Sequence, residues 1–417
     1  MFRFIIKFSV LIILLFSITN YALAWDEIGH KLTAYIAWER MNPEVREKVV
    51  KILLAAPEDS DLSVRYDAYN SRSDSVKRRE LFMYAAIWSD VIRNRDFEVR
   101  FRKYNQSDWH YADIFWKQEN NEAVILADFP VESGKAIPKL YDFEKILQES
   151  SYNNEEKSIA LAWFLHVGGD IHNPVHNASR VTELEPKGDQ GGNLFVFIPR
   201  TETSNGLNLH GFWDSIIGQV KPRKNDACDS DYLAPIAEEM MKKHPYSKMQ
   251  SRLSLGNYKL WNIEGFNFLN KVVYTSDLQR NQMPSKKYTE QTFVTAEEQI
   301  TLAGYRLGET LNRIFGSREV SSKTTDDSGN LREVKDSKNV KDSVGQGAND
   351  TWIWTKTRAA LASDGNLQNQ NLINVDVNNG VVTLKGTVSS LKQKELIITI
   401  AKNVEGVKEV KDLIKIK

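Results

Sequence analysis

Six of the seven histidines, all but His244, fall in short segments that also carry aspartates. The densest runs Phe164-Leu-His-Val-Gly-Gly-Asp-Ile-His-Asn-Pro-Val-His176. His166 and Asp170 are four residues apart, which stacks both side chains on one face of a helix. Pro174 cannot continue the hydrogen-bond ladder, so the chain bends and can return His176 toward the same pocket. Asn208-Leu-His-Gly-Phe-Trp-Asp214 repeats the spacing with His210 and Asp214. Trp88-Ser-Asp-Val-Ile-Arg93 and Trp109-His-Tyr-Ala-Asp113 add Asp90 and His110. Any one pair reads as a surface ion pair, but together they point to a metal centre. Cys228 is the single cysteine, which excludes thiolate-rich sites and intrachain disulfides. Imidazole, carboxylate and backbone donors suit zinc, manganese or iron.

With the opening Trp25-Asp-Glu-Ile-Gly-His30 and the closing Ala303-Gly-Tyr-Arg-Leu-Gly-Glu-Thr-Leu-Asn312, these segments resemble the zinc-dependent single-strand nucleases, the S-one/P-one nuclease family. The resemblance runs from Trp25 to about Gly316 and implies three zinc ions. One would be held by Asp90, His110, His166 and Asp170. A second would take the amino and carbonyl groups of Trp25 with His30, and share Asp170 as a bridge. The third would be bound by His176, His210 and Asp214. His172 would support the ligands without being one, and His244 reads as an ordinary helix end.

The implied reaction is phosphodiester hydrolysis to 5′-phosphate products. Zinc lowers the pKa of bound water toward ~7, and Asp170 would orient the attacking water. Arg93 matches the family's arginine that steadies charge on phosphoryl oxygens, a job suited to its planar donor fork; a helix ion pair is the plainer reading. Tyr111 and Asp113 match positions that stack on and hydrogen-bond a base, although Tyr111 could equally be core. Gly188-Asp-Gln-Gly-Gly-Asn193 is similar to a family loop near the site. Its glycines either let backbone approach substrate, with Asn193 at the contact, or merely make a turn.

Lys+Arg and Asp+Glu balance at 55 each, so no basic excess drives duplex binding by counterion release. Recognition through metals and one stacked base would favour flexible strands, because a paired base cannot reach a stacking pocket. The expected enzyme is a zinc-dependent single-strand endonuclease acting on DNA and RNA, with 3′-nucleotidase activity as an extension and no obligate protein partner. A zinc-dependent phospholipase C is the nearest rival. In that enzyme the first histidine lies farther from the N-terminus and the last carboxylate is usually Glu, whereas here His30 follows Trp25 by five residues and the last is Asp214. A non-catalytic zinc-binding envelope protein is the other alternative. Structural zinc sites are closed and four-coordinate, which fits three clustered ions with few ligands poorly.

The elements that must position these residues read as mainly α. Glu44 to Leu54, Glu155 to His166 (behind Asn153-Asn154) and Glu297 to Phe315 carry apolar residues at helical spacing. Asn193 to Ile198 is the one β-like piece, so residues 25–316 are expected to form an all-α zinc nuclease/phospholipase C-like domain. Before it, residues 1–24 have a basic start, an apolar run and an Ala22-Leu23-Ala24 ending, the pattern of a secretory signal peptide. An uncleaved membrane anchor is the alternative. Cleavage would make Trp25 the N-terminus.

Residues 317–350 have no aromatic residue and mixed charge, as expected of a flexible linker. Residues 351–417 read as a small α+β unit in the order αββαβ, with Asn379-Gly380 as a hairpin turn. Val377-Asn-Asn-Gly-Val-Val-Thr-Leu-Lys-Gly-Thr-Val388 resembles the BON domains of bacterial envelope proteins, which are thought to bind phospholipid surfaces. Its lysines, Lys402, Lys408, Lys411, Lys415 and Lys417, suit anionic lipid or a solvated face equally. Fungal and plant relatives are commonly disulfide-bonded, so a single cysteine and a BON-like unit point to a secreted protein of the bacterial periplasm.

Overall fold

The computed structural model describes residues 25–68, 72–119, 122–126, 129–131, 134–201, 204–223, 229–316, 353, 357, 361, 373–404 and 406–416. The leader expected over 1–24 and the linker expected over 317–350 lie outside them. The larger unit is built from α1 Glu27–Arg40, α2 Pro43–Leu54, α3 Arg65–Ala68, α4 Asp74–Val91, α5 Glu98–Tyr104, α6 Ala136–Gln148 and α7 Asn154–Asp170. It continues with α8 Leu209–Asp214, α9 Ile216–Val220, α10 Asp229–Lys243, α11 Tyr246–Met249, α12 Tyr258–Phe266 and α13 Lys286–Phe315.

Local chemistry explains where these helices start. The Asp26 carboxylate accepts from the backbone N–H groups of Ile28 and Gly29 and so caps α1. Pro43 opens α2, where its missing N–H costs nothing. Asn153 and Glu156 form a reciprocal capping box at α7. Ser285 caps α13, which starts at Lys286, eleven residues before the expected start at Glu297. The added turns bury Tyr288, Thr292, Phe293 and Thr295. Threonines on a buried face leave little apolar period to read.

α1 lies against α13, α4 and α7. Its approach to α13 is close because Gly304 and Gly308 face it. A Cβ at Gly304 would stand 2.9 Å from the Thr33 carbonyl oxygen, and one at Gly308 2.8 Å from that of Ala37. Around these helices one core buries Trp25, Trp88, Trp163, Trp213 and Trp261.

Short strands add to the mainly helical unit where only one was expected. β1 Ile114–Glu119 pairs antiparallel with β2 Glu122–Ile125 and parallel with β3 Ala178–Arg180. β4 Val196–Ile198 pairs antiparallel with β5 Leu207–Asn208. The β1–β3 pairing matters for function because it ties the segment after His110 to the segment after His176. Ala112 N–H donates to the His176 carbonyl at 3.0 Å and Ile114 N–H to that of Asn177 at 2.9 Å.

The C-terminal unit has its own core. β6 Ile373–Asn378 and β7 Val381–Val388 form a hairpin through Asn379 and Gly380, whose φ values of +54° and +80° suit a primed turn. After α14 Leu391–Lys402, β8 Glu409–Ile416 returns parallel to β7. Val375, Val382, Leu384, Ile397, Ala401 and Ile414 fill the space between sheet and helix, joined by Ile353 and Leu361. Of the first helix in the expected αββαβ order, residues 353, 357 and 361 are described, and each is helical.

Candidate metal centre

The expected donors arrive from separate elements. His30 lies in the first turn of α1, Asp90 in the last turn of α4, and His166 and Asp170 at the end of α7. His110 follows a 3-10 turn, Ser107–Trp109, and His176 closes another, Pro174–His176. His210 and Asp214 sit on α8.

Their ligand atoms converge in three groups among the described residues: His30, His166 and Asp170; Asp90, His110 and His166; His176, His210 and Asp214. Asp170 Oδ1 is 3.1 Å from His30 Nε2, and its Oδ2 is 3.2 Å from His110 Nδ1 and 3.4 Å from His166 Nε2. Asp90 Oδ1 is 3.8 Å from His166 Nε2 and 4.0 Å from His110 Nδ1. In the third group Asp214 lies 3.7 Å from His176 Nε2 and 3.5 Å from His210 Nε2. Donors about 2.0–2.1 Å from one tetrahedral zinc are about 3.3 Å apart, close to these separations.

Main-chain oxygens set the imidazole orientations. His166 Nδ1 donates to the Ala86 carbonyl at 2.7 Å, His176 Nδ1 to that of His110 at 2.8 Å, and His210 Nδ1 to that of Gly191 at 2.9 Å. Each Nδ1 then carries the proton, leaving an Nε2 lone pair aimed at its group. Among the described residues the buried His30, His176 and His210 Nε2 atoms and Asp170 Oδ1 have no hydrogen-bond partner. Orphaned buried donor atoms at this spacing fit bound cations.

The electrostatics agree. Burial, reinforced by neighbouring imidazoles, holds His30, His110 and His176 well below the ordinary histidine range, and burial pulls His210 down to about 4. These rings are neutral, as ligation requires. Burial and then Asp90 push the Asp170 carboxyl well above its ordinary range, and burial and then Asp26 do the same for Asp214. Carboxylates so placed are relieved by a cation of higher charge than any side chain supplies.

The other expected residues lie outside the three groups. Arg93 is 8% exposed and reaches Asp90 Oδ1 through Nη1 at 3.1 Å. Trp25 is fully buried, and the N–H of the Trp25–Asp26 peptide donates to the Asp214 carbonyl at 2.9 Å. Tyr111 is part-buried beside Gly134, where a Cβ would stand 2.6 Å from its ring. Asp113 is also part-buried, and burial together with the Asp189 charge pushes its carboxyl well up. Asn193 is half-buried, and its amide is engaged within the protein, donating to the Gln190 carbonyl at 2.9 Å and accepting from Asn208 Nδ2 at 3.2 Å.

His172 is not in any group because both its nitrogens are engaged. Nδ1 donates to the Gly168 carbonyl at 2.6 Å and Nε2 accepts from Arg306 Nη1 at 2.9 Å. The sequence reading passed over Asn173, whose Nδ2 donates to Asp214 Oδ1 at 2.8 Å. It also passed over Gly169, where a Cβ would stand 2.8 Å from His30 Nδ1. Both lie inside the densest histidine segment, which was the available signal.

Residues 25–316 match the S1/P1 Nuclease family model and residues 349–417 the BON domain model. The chain is 24% identical to Nuclease S1 of Aspergillus oryzae over 303 residues, covering 70% of this chain and 91% of that protein. It is 27% identical to Endonuclease 2 of Arabidopsis thaliana over 205 residues, covering 46% of this chain and 56% of that protein. With histidines and aspartates gathered as described, and with most of its length matched, the chain belongs to the S1/P1 nuclease family and carries a BON domain behind the nuclease domain.

Proposed function

We propose that this nuclease is a zinc-dependent single-strand endonuclease that holds three ions and cleaves DNA and RNA to 5′-phosphate products, with 3′-nucleotidase activity on the same centre. The observation that carries the reading is the convergence of eight residues, five imidazoles and three carboxylates, into three groups in which all but Asp90 are buried. Asp90, His110, His166 and Asp170 would hold one ion. Trp25 and His30, with Asp170 shared, would hold the second, and His176, His210 and Asp214 the third. When bound, such ions supply Lewis acidity for water activation and for neutralising phosphoryl charge.

The chain's own residues do the rest. Asp170 accepts a hydrogen bond from the attacking water and aligns it with phosphorus. Arg93, braced by Asp90, donates to a phosphoryl oxygen as charge develops. Asn173 fixes the Asp214 carboxylate. Tyr111 stacks on a base and Asp113 hydrogen-bonds it, so substrate must offer an unpaired nucleotide. Removal of residues 1–24 frees the Trp25 amine for ligation, and export of that kind places the enzyme in the bacterial periplasm. No helix among the described residues is long and apolar enough to cross a membrane. The BON domain would contact a phospholipid surface.

The test pairs elemental analysis of the mature protein with hydrolysis of heat-denatured and duplex DNA. About three zinc ions per chain and faster cleavage of denatured DNA are expected. Full activity without zinc, or equal rates on both substrates, overturns the corresponding part.

A further inference from the structure

We propose that the loop 188–193 is a positioning element for the His176, His210 and Asp214 group, with Asp189 as its anchor and Asn193 as its clasp onto α8. The inference rests on reading those three residues as metal ligands.

The loop backbone turns left-handed at Gly188, Gln190, Gly191 and Gly192, with φ of +91°, +56°, +63° and +86°. Such a run keeps its shape only where its surroundings hold it. At its centre the Gly191 carbonyl takes the His210 Nδ1 proton. A Cβ at Gly191 would stand 2.1 Å from the Val175 carbonyl oxygen and 3.1 Å from His210 Nδ1. The loop is therefore wedged between Val175, the residue before His176, and the His210 ring; the ring centroids of His176 and His210 are 4.6 Å apart.

On one side the anchor is Asp189, which is fully buried. Its Oδ1 accepts from the Arg180 N–H at 2.8 Å and its Oδ2 from the Tyr274 hydroxyl at 2.6 Å. Its own N–H donates to the Arg180 carbonyl at 2.9 Å, and Gln190 N–H donates to Ser179 Oγ at 2.9 Å. These bonds fasten the loop to β3, which starts two residues after His176.

On the other side Asn193 closes the loop through the Gln190 carbonyl and accepts Asn208 Nδ2 on its backbone and side-chain oxygens at 3.1 and 3.2 Å. Asn208 in turn caps α8 by accepting the Gly211 N–H at 2.7 Å. The path from β3 through Asp189, Gly191 and Asn193 to α8 sets the separation of His176 from His210 and the ring orientation of His210. Asn193 on this account is a positioning residue, its amide spent inside the protein and not on substrate.

The full chain is compared with Asn193→Ala, Tyr274→Phe and His210→Ala by zinc content, rate of zinc loss to a chelator, thermal melting and KM for denatured DNA. Asn193→Ala is expected to melt near the parent and Tyr274→Phe below it, since the latter leaves the buried Asp189 carboxylate one donor short. Both are expected to release one zinc about 10- to 100-fold faster, as removal of groups behind metal ligands does. Added zinc should restore hydrolysis at the parental KM. If Asn193→Ala holds zinc like the parent and raises KM in a way that zinc does not correct, Asn193 contacts substrate and the proposal falls. Should Asn193→Ala not fold, Tyr274→Phe decides alone. His210→Ala separates the two readings. If it keeps the parental zinc content, the ligand assignment fails. If it loses one ion while both other variants release zinc at the parental rate, only the positioning role fails.

Discussion

The imidazoles of His30 and His166 stack face to face, with ring centroids 4.0 Å apart and planes inclined by 19°. The rings come from different helices, and the space for His30 exists because residue 169 has no side chain. A methyl group there would meet His30 Nδ1 at 2.8 Å and Cε1 at 3.2 Å. Gly169→Ala should push His30 out of line with Asp170 and lower hydrolysis by about tenfold or more, a barrier change of about 1.4 kcal/mol. Zinc content and kcat measured on the purified variant check this; unchanged values would show that α1 simply shifts.

Chelation should abolish hydrolysis and lower the melting temperature together. A ligand at a thousand times its Kd stabilises the folded state by about 4 kcal/mol, and here the cations would also offset buried carboxylates at Asp170 and Asp214. Scanning calorimetry before and after chelation, then with zinc restored, measures the coupling. An unchanged transition would mean that the centre contributes nothing to folding.

Arg306 is fully buried on α13, and burial pulls its guanidinium down to about 10. It donates to His172 Nε2, to the Arg252 carbonyl and to Glu264 Oε2, the last two at 2.6 Å. Arg306→Met should cost about 1–3 kcal/mol, because it strips a hydrogen-bond partner from the buried His172 and from the half-buried Glu264. Arg306→Lys should recover only part, because an ammonium cannot reproduce the planar fork. Denaturant unfolding of both variants gives the ordering.

Arg93→Ala should lower kcat by about 10²–10³-fold, the loss typical of removing one donor aimed at developing charge. KM and zinc content should stay near the parent. A selective rise in KM would instead assign Arg93 to ground-state binding.

Deleting residues 349–417 should leave nuclease activity intact, because the two hydrophobic cores share no residue. The truncated protein should sediment less with vesicles containing anionic phospholipid. Equal sedimentation would remove lipid from the role of the BON domain.

The sequence disclosed much of the framework through short-range rules. Four-residue spacing placed His166 with Asp170 and His210 with Asp214 on single helices, and Asn379-Gly380 marked its hairpin, because helix pitch and turn chemistry are local. The start of α13 was hidden by buried threonines, and β3 by its three-residue length. The roles of Asn173, Asp189 and Arg306 were not readable, since their partners Asp214, Tyr274 and Glu264 lie far along the chain or in loops. No periodicity reports a hydrogen bond between residues 85 positions apart, such as Tyr274 with Asp189.

Three of the histidines take their orientation from the carbonyls of Ala86, His110 and Gly191. No codon change at those positions can delete a main-chain oxygen. Mutational drift can therefore rewrite most side chains around these rings while their tautomers persist, and harm must come through chain geometry or through the donors themselves. Such an inheritance lets the chemistry outlast the surrounding text.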